Sequence, residues 1–181
     1  MMKRNIIFNF DMDGVLARWG NASIEETFLP GYFENLVAEE VVIRVVHRLI
    51  SAGYDVNILS AAYDNGLAVP EKSRWLDKKV SLHGYTRTFV PYGQKKEDYM
   101  RCADVNVLLD DYSKNLHSWV AAGNLGFKFY WSHDGMSNGT KGTWHGYSVN
   151  DKMTDREIFD ELVGIAEQHA KTNISKKEKA I

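Results

Sequence analysis

Two apolar runs in this chain end on paired carboxylates. Residues 6–10 (IIFNF) run straight into Asp11-Met12-Asp13-Gly14, and residues 105–109 (VNVLL) run into Asp110-Asp111. A short apolar run bounded by polar residues reads as a buried strand. In an extended chain, residues i and i+2 point to the same side. Asp11 and Asp13 are therefore expected close together, where their charges repel unless something positive lies between them. A bound cation, a phosphate chemistry, or both would explain the pair.

The rest of the pattern says how the strand ends can meet. Strand-like segments at 5–10, 54–60, 86–90, 105–109 and 127–131 alternate with helix-like segments at 40–52, 70–79, 94–102, 113–122 and 154–171. Gly53 and Gly123 are placed to stop two of these helices, Pro70 to start a third, and Thr154 with Glu157 to form a capping box. Alternation of this kind predicts an α/β fold in which a parallel sheet carries helices on both faces. Residues 132–149, with four glycines, read as irregular or as a hairpin, and the charged tail 172–181 as frayed. At 181 residues the chain is expected to be a single domain, 1–181, with a small insert over about 17–40.

Composition narrows the class. A net charge of −2 leaves no basic footprint for a nucleic acid polymer. No stretch approaches a membrane span, and the apolar run before Asp11 is too short for a secretory leader. The single cysteine, Cys102, cannot form an internal disulfide and reads as a core thiol. These features predict a cytoplasmic protein with no membrane partner; they leave a homodimer open. Six scattered histidines show no metal-ligand spacing, so zinc is not indicated.

In an open parallel sheet, ligands bind at the carboxyl ends of the strands. Those ends bring Asp11 and Asp13, Ser60, Lys95 and Lys96, and Asp110 and Asp111 into one region. Carboxylates converging there call for a hard cation, and Mg2+ takes octahedral oxygen ligands of this kind. A lysine and a hydroxyl would then hold phosphate oxygens. Each piece has a plainer reading: a turn at Asp11–Gly14, a turn residue at Ser60, solvated charges at Lys95 and Lys96, and Asp111 capping the helix that begins at Ser113. A calcium loop is disfavoured, because Ala22 stands where that pattern needs a glutamate.

Taken together, DMDGVLA (11–17), ILSAA (58–62), Lys96 in GQKKEDY, and VLLDDY (107–112) resemble the four motifs of the haloacid dehalogenase (HAD) superfamily of phosphohydrolases. More narrowly, LPGYFENL (29–36), YDVNILSA (54–61) and EKSRWL (71–76) resemble the 5'(3')-deoxyribonucleotidase group, in its bacterial and phage-type form. The resemblance implies a Rossmann-like three-layer αβα fold with a small helical cap after strand 1. It implies Asp11 as nucleophile through an aspartyl-phosphate and Asp13 as general acid/base. It implies phosphate binding at Ser60, Ala61 and Lys96. It implies Mg2+ held by Asp11, by the backbone carbonyl of Asp13, and by Asp110 or Asp111.

In the superfamily the insert after strand 1 covers the site, and here it is short. Trp19, Phe28, Tyr32 and Phe33 lie in or beside it. They are candidates to stack on a nucleobase, or else they form the core of the cap itself. The expected function is an Mg2+-dependent phosphomonoesterase acting on (deoxy)nucleoside monophosphates. The alternatives are a phosphatase for a sugar phosphate or other small metabolite, and a phosphate-binding protein without catalysis.

Overall fold

The computed structural model describes residues 5–19, 22–132 and 142–178. Six strands, β1 (Ile6–Phe10), β2 (Asp55–Ala62), β3 (Tyr85–Pro91), β4 (Val105–Asp110), β5 (Leu125–Tyr130) and β6 (Tyr147–Asn150), form one sheet in the order β3-β2-β1-β4-β5-β6. All five pairings are parallel. Helices α1 (Glu40–Ser51), α2 (Ala68–Lys79), α3 (Ser113–Ala121) and α4 (Asp155–Glu178) flank it. This is the α/β architecture the alternating pattern predicts.

Strand alternation sorts the two faces. Phe8 and Phe10, Ile58, Val107 and Leu109, and Phe127 and Phe129 join Val42, Val46 and Leu49 of α1, Trp75 and Leu76 of α2, and Ile158 and Leu162 of α4 in the main core. On the other face Leu59 and Leu108 pack with Leu116 and Trp119 of α3 and with Trp144. That second face also holds a buried polar row. Asn57 donates to Asn9 Oδ1 at 3.0 Å, Asn9 donates to Asn106 Oδ1 at 3.3 Å, and the hydroxyls of Thr86 and Thr88 donate to Asn57 Oδ1 at 2.9 and 3.2 Å. A buried amide is tolerated only when its donors and acceptors are paired, and these are paired with one another.

Several local expectations hold. Gly53 and Gly123 follow their helices with φ of +77° and +88°, which glycine adopts without penalty. The capping box forms: Glu157 N donates to Thr154 Oγ1 at 3.2 Å, and Thr154 N to Glu157 Oε2 at 2.8 Å.

Others are corrected. The helix expected over 94–102 is a single 3-10 turn, Lys96–Tyr99, in an otherwise irregular segment. Its carbonyls draw donors from the sheet: Asn106 Nδ2 reaches Arg101 O at 3.0 Å and Asn5 Nδ2 reaches Cys102 O at 3.3 Å. Cys102 on this segment is exposed, not a core thiol. Strand β6 begins within the stretch 132–149, read as irregular or as a hairpin, and ends one residue beyond it; residues 133–141 of that stretch lie outside the described residues. Helix α4 continues past Lys171 to Glu178, into the stretch read as a frayed tail.

The insert contains two 3-10 turns, Glu26–Phe28 and Phe33–Asn35. It is closed at its base by a bridge between Ala17 and Ala38. No helix among the described residues is long and apolar enough to cross a membrane.

Candidate active site

The strand order reverses direction between β1 and β4, so the chain leaves these neighbours toward opposite sides of the sheet. A crevice opens at such a switch point, beyond the carboxyl ends of the strands. Asp11 directly follows β1 and Asp110 ends β4. Their carboxylates meet the same ammonium: Lys96 Nζ lies 2.8 Å from Asp11 Oδ2 and 2.6 Å from Asp110 Oδ2. Burial alone would push the Lys96 ammonium down, but the two carboxylates outweigh it and hold the group above its ordinary value.

Asp110 is fully enclosed. Besides Lys96, its Oδ2 accepts from Asn115 Nδ2 at 3.0 Å, and its Oδ1 accepts the N–H of Tyr112 at 2.7 Å. At the start of α3 the carboxylate of Asp110 thus accepts the N–H of Tyr112, the residue before Ser113. The side chain of Asp111 turns back toward β1 instead. A Cβ at position 14 would stand 2.2 Å from Asp111 Oδ2, and Gly14 has φ +81°. Only glycine leaves room for that carboxylate and adopts that φ without strain.

Carboxylate oxygens of Asp11, Asp110 and Asp111 all lie within 4.8 Å of one another. Burial, and after it the charges of Asp110 and Asp11, push the Asp111 carboxyl well above its ordinary value. Two ammoniums, Lys96 between Asp11 and Asp110 and Lys128 beside Asp111, do not balance three carboxylates. The all-oxygen donor set and its spacing match the requirement of a small hard cation such as Mg2+.

Asp13 has a different partner. Its Oδ2 pairs with Lys72 Nζ, which also donates to Ser60 Oγ at 3.0 Å and to the carbonyl of Ala61 at 2.6 Å. The other oxygen, Oδ1, is buried with no hydrogen-bond partner among the described residues. Burial raises the Asp13 carboxyl above its ordinary value, against the pull of Lys72. Lys72 has 1 % side-chain exposure, and the ring of Phe33 lies 4.6 Å from its Nζ.

The sequence-predicted site residues Asp11, Asp13, Ser60, Ala61, Lys96, Asp110 and Asp111 thus gather at one switch point. A cavity of about 740 Å³ opens over them. Trp19 and Phe33 line it, while Tyr32 packs edge-on against both rings, with centroids 5.9 and 5.0 Å away. Sequence reasoning missed Lys72 and the second aromatic wall. In that wall the Tyr63 ring packs at a tilt against Tyr92 and Phe28, with centroids 4.3 and 4.9 Å away. A signal for Lys72 was present. Ala68, Trp75 and Leu76 mark the buried stripe of α2, and Glu71 and Lys72 occupy positions in the same stripe. Charged residues on a buried stripe require partners.

Comparison with known proteins finds likeness in structure only. No protein-family model matches the sequence, and no curated protein matches it either. Among solved structures the chain is similar to the D,D-heptose 1,7-bisphosphate phosphatase of B. bronchiseptica, crystallised with magnesium and phosphate. The TM-score is 0.60 at 16% identity, over 88% of this chain and 99% of that one. It is also similar to the D,D-heptose 1,7-bisphosphate phosphatase of Burkholderia thailandensis, with a TM-score of 0.59 at 15% identity, over 87% of this chain and 97% of that one. At these identities the likeness establishes a shared fold.

Proposed function

We propose that this chain is a magnesium-dependent phosphomonoesterase of the HAD type, working through an aspartyl-phosphate on Asp11. The observation that carries the reading is the division of labour between two buried lysines. Lys96 fixes the carboxylate of Asp11 beside Asp110, and Lys72 fixes one oxygen of Asp13 and leaves the other unpartnered among the described residues. The two similar structures are phosphatases, and one holds magnesium and phosphate, which supports the same reading.

In this reading Asp11 attacks phosphorus, and the ester bond to the alcohol breaks. The leaving oxygen takes the proton of Asp13, whose raised carboxyl suits it to carry one. Asp13 then accepts a proton from a water that attacks the phosphoryl group, which frees Asp11 and inorganic phosphate. Lys96 and Ala61, which line the cavity, hold the phosphoryl oxygens through the transfer, while the three N–H donors of Lys72 go to Asp13, Ser60 Oγ and Ala61 O. Asp11, the backbone carbonyl of Asp13, and Asp110 or Asp111 would hold Mg2+, which would supply neutralising charge to those oxygens.

The substrate is a small phosphorylated metabolite. The sugar bisphosphate phosphatases of the same fold favour a sugar phosphate. A second reading, a nucleoside monophosphate, is supported by the aromatic walls: Trp19 and Phe33 on one side of the cavity, Tyr63 and Tyr92 on the other. A panel of nucleoside monophosphates and sugar phosphates, assayed for phosphate release with Mg2+ and with chelator, tests both levels. Release that needs Mg2+ supports the reading. Phosphate binding without turnover of any ester would replace it with a non-catalytic binding role.

A further inference from the structure

The insert cannot hold its own shape. Its two 3-10 turns span 3 residues each, too short to be stable alone. Helix α2 holds it from outside. Trp75 Nε1 donates to Leu36 O at 2.8 Å, and Arg74 and Lys78 pair with Glu34 at 2.7 and 2.5 Å. Those two ion pairs are exposed on the basic side, and such pairs contribute little.

Glu71 is different. It is 2 % exposed, its Oε1 accepts the N–H of Gly31 at 2.6 Å, and its Oε2 accepts the N–H of Phe33 at 3.1 Å. A buried carboxylate satisfied by two backbone donors is a strong, directional anchor. It acts where the insert meets the cavity, because the Phe33 ring both lines the cavity and covers Lys72 Nζ. Lys72, the next residue of α2, is tied separately to Asp13, Ser60 and Ala61.

We infer that Glu71 is a positioning residue for substrate choice. It sets where the wall formed by Phe33 stands and so determines how the part of the substrate beyond the phosphate is held. The inference rests on the phosphomonoesterase reading above. The phosphoryl end of the site does not depend on Glu71 for its hydrogen bonds, because the three partners of Lys72, namely Asp13, Ser60 and Ala61, all lie outside the insert.

The test compares wild type with Glu71→Gln on p-nitrophenyl phosphate and on the best ester of the panel. Glutamine has one acceptor oxygen, so it sets an amide N–H against one of the two backbone donors. KM for the panel ester should rise about tenfold or more, the equivalent of one lost charge-assisted bond. Its kcat, and both constants for p-nitrophenyl phosphate, should stay within about twofold. Glu71→Asp, which keeps the charge on a shorter arm, should fall between wild type and Glu71→Gln and serves if the glutamine variant does not fold. Equal losses on both substrates, or an unchanged KM for the panel ester, would overturn the inference. A wild type inert on every ester would refute the phosphatase reading itself.

Discussion

One face of the sheet meets α1, α2 and α4 through Phe8, Phe10, Ile58, Val107, Leu109, Phe127 and Phe129. The other face carries Asn9, Asn57 and Asn106 in a row, and along β1 and β4 the same face leads to Asp11 and Asp110. The first face is covered by helices, which satisfy their own backbones. The second is partly covered by the irregular segment around Lys96–Tyr99, whose backbone needs partners from below. The asparagine row supplies one of them. A polar layer under an irregular segment is what lets Lys96 enter the crevice beside Asp11 and Asp110. Lys72 arrives from the opposite side, on α2, whose Trp75 and Leu76 belong to the apolar core. Asp11 and Asp13 are thus each held by one ammonium, Lys96 from one side of the sheet and Lys72 from the other.

The contrast can be broken first on the apolar face. Phe127→Ala should cost about 3–5 kcal/mol of stability, since the ring is fully buried in the main core. Urea unfolding measures it; a loss below about 1 kcal/mol would mean that this face repacks freely.

On the lysine that enters from α2, the expected effect is on turnover. Lys72→Met should slow hydrolysis of alkyl phosphates about 100-fold, through loss of a positioned acid/base group. The loss should be smaller for p-nitrophenyl phosphate, whose leaving group needs no proton. Equal losses on both esters would place Lys72 in phosphate binding alone.

The polar row should respond less than the apolar core. Asn57→Leu strands the hydroxyl of Thr88 and one oxygen of Asn9 and leaves the Thr86 hydroxyl only the Val56 carbonyl, a cost of about 1–3 kcal/mol. A stabilised variant in the same urea assay would mean that the row is dispensable.

The smallest effect lies at the edge of the apolar layer, where Arg48 on α1 meets Asp155 at the start of α4. The hydrogen bond from Arg48 holds the Asp155 carboxyl below its ordinary value. A depressed folded value contributes stability that is present above the unfolded value and is lost as pH falls through the folded one. Arg48→Met should therefore lower Tm slightly near pH 7, by well under the equivalent of about 1 kcal/mol. The difference from wild type should close in acid. A gap that persists below the folded value would assign it to packing.

Much of the apolar face was legible, because helical and strand periodicities report burial directly. The carboxylates were legible for the same reason: each ends an apolar run. The 94–102 segment was not. Its local pattern favours a helix, and only the asparagine row of three other strands makes an irregular path affordable. Strand β6 is short and half-exposed, with residues that read equally as loop. Lys72 and Glu71 were hidden because a charged pair on a helix normally faces water; their partners come from residues up to 59 positions away. Tyr63 and Tyr92 escaped notice because they meet from two different strand ends.

The central claim is that phosphorus passes through Asp11. Wild-type enzyme mixed with Mg2+ and its best panel ester, quenched in acid within the first turnover and digested, tests it directly by peptide mass spectrometry. The account predicts a phosphoryl group on the peptide that contains Asp11, absent from the Asp11→Asn variant, which should also retain its fold. A phosphoryl group on Ser60 or another residue, or an Asp11→Asn variant that turns over within about tenfold of wild type, would contradict it.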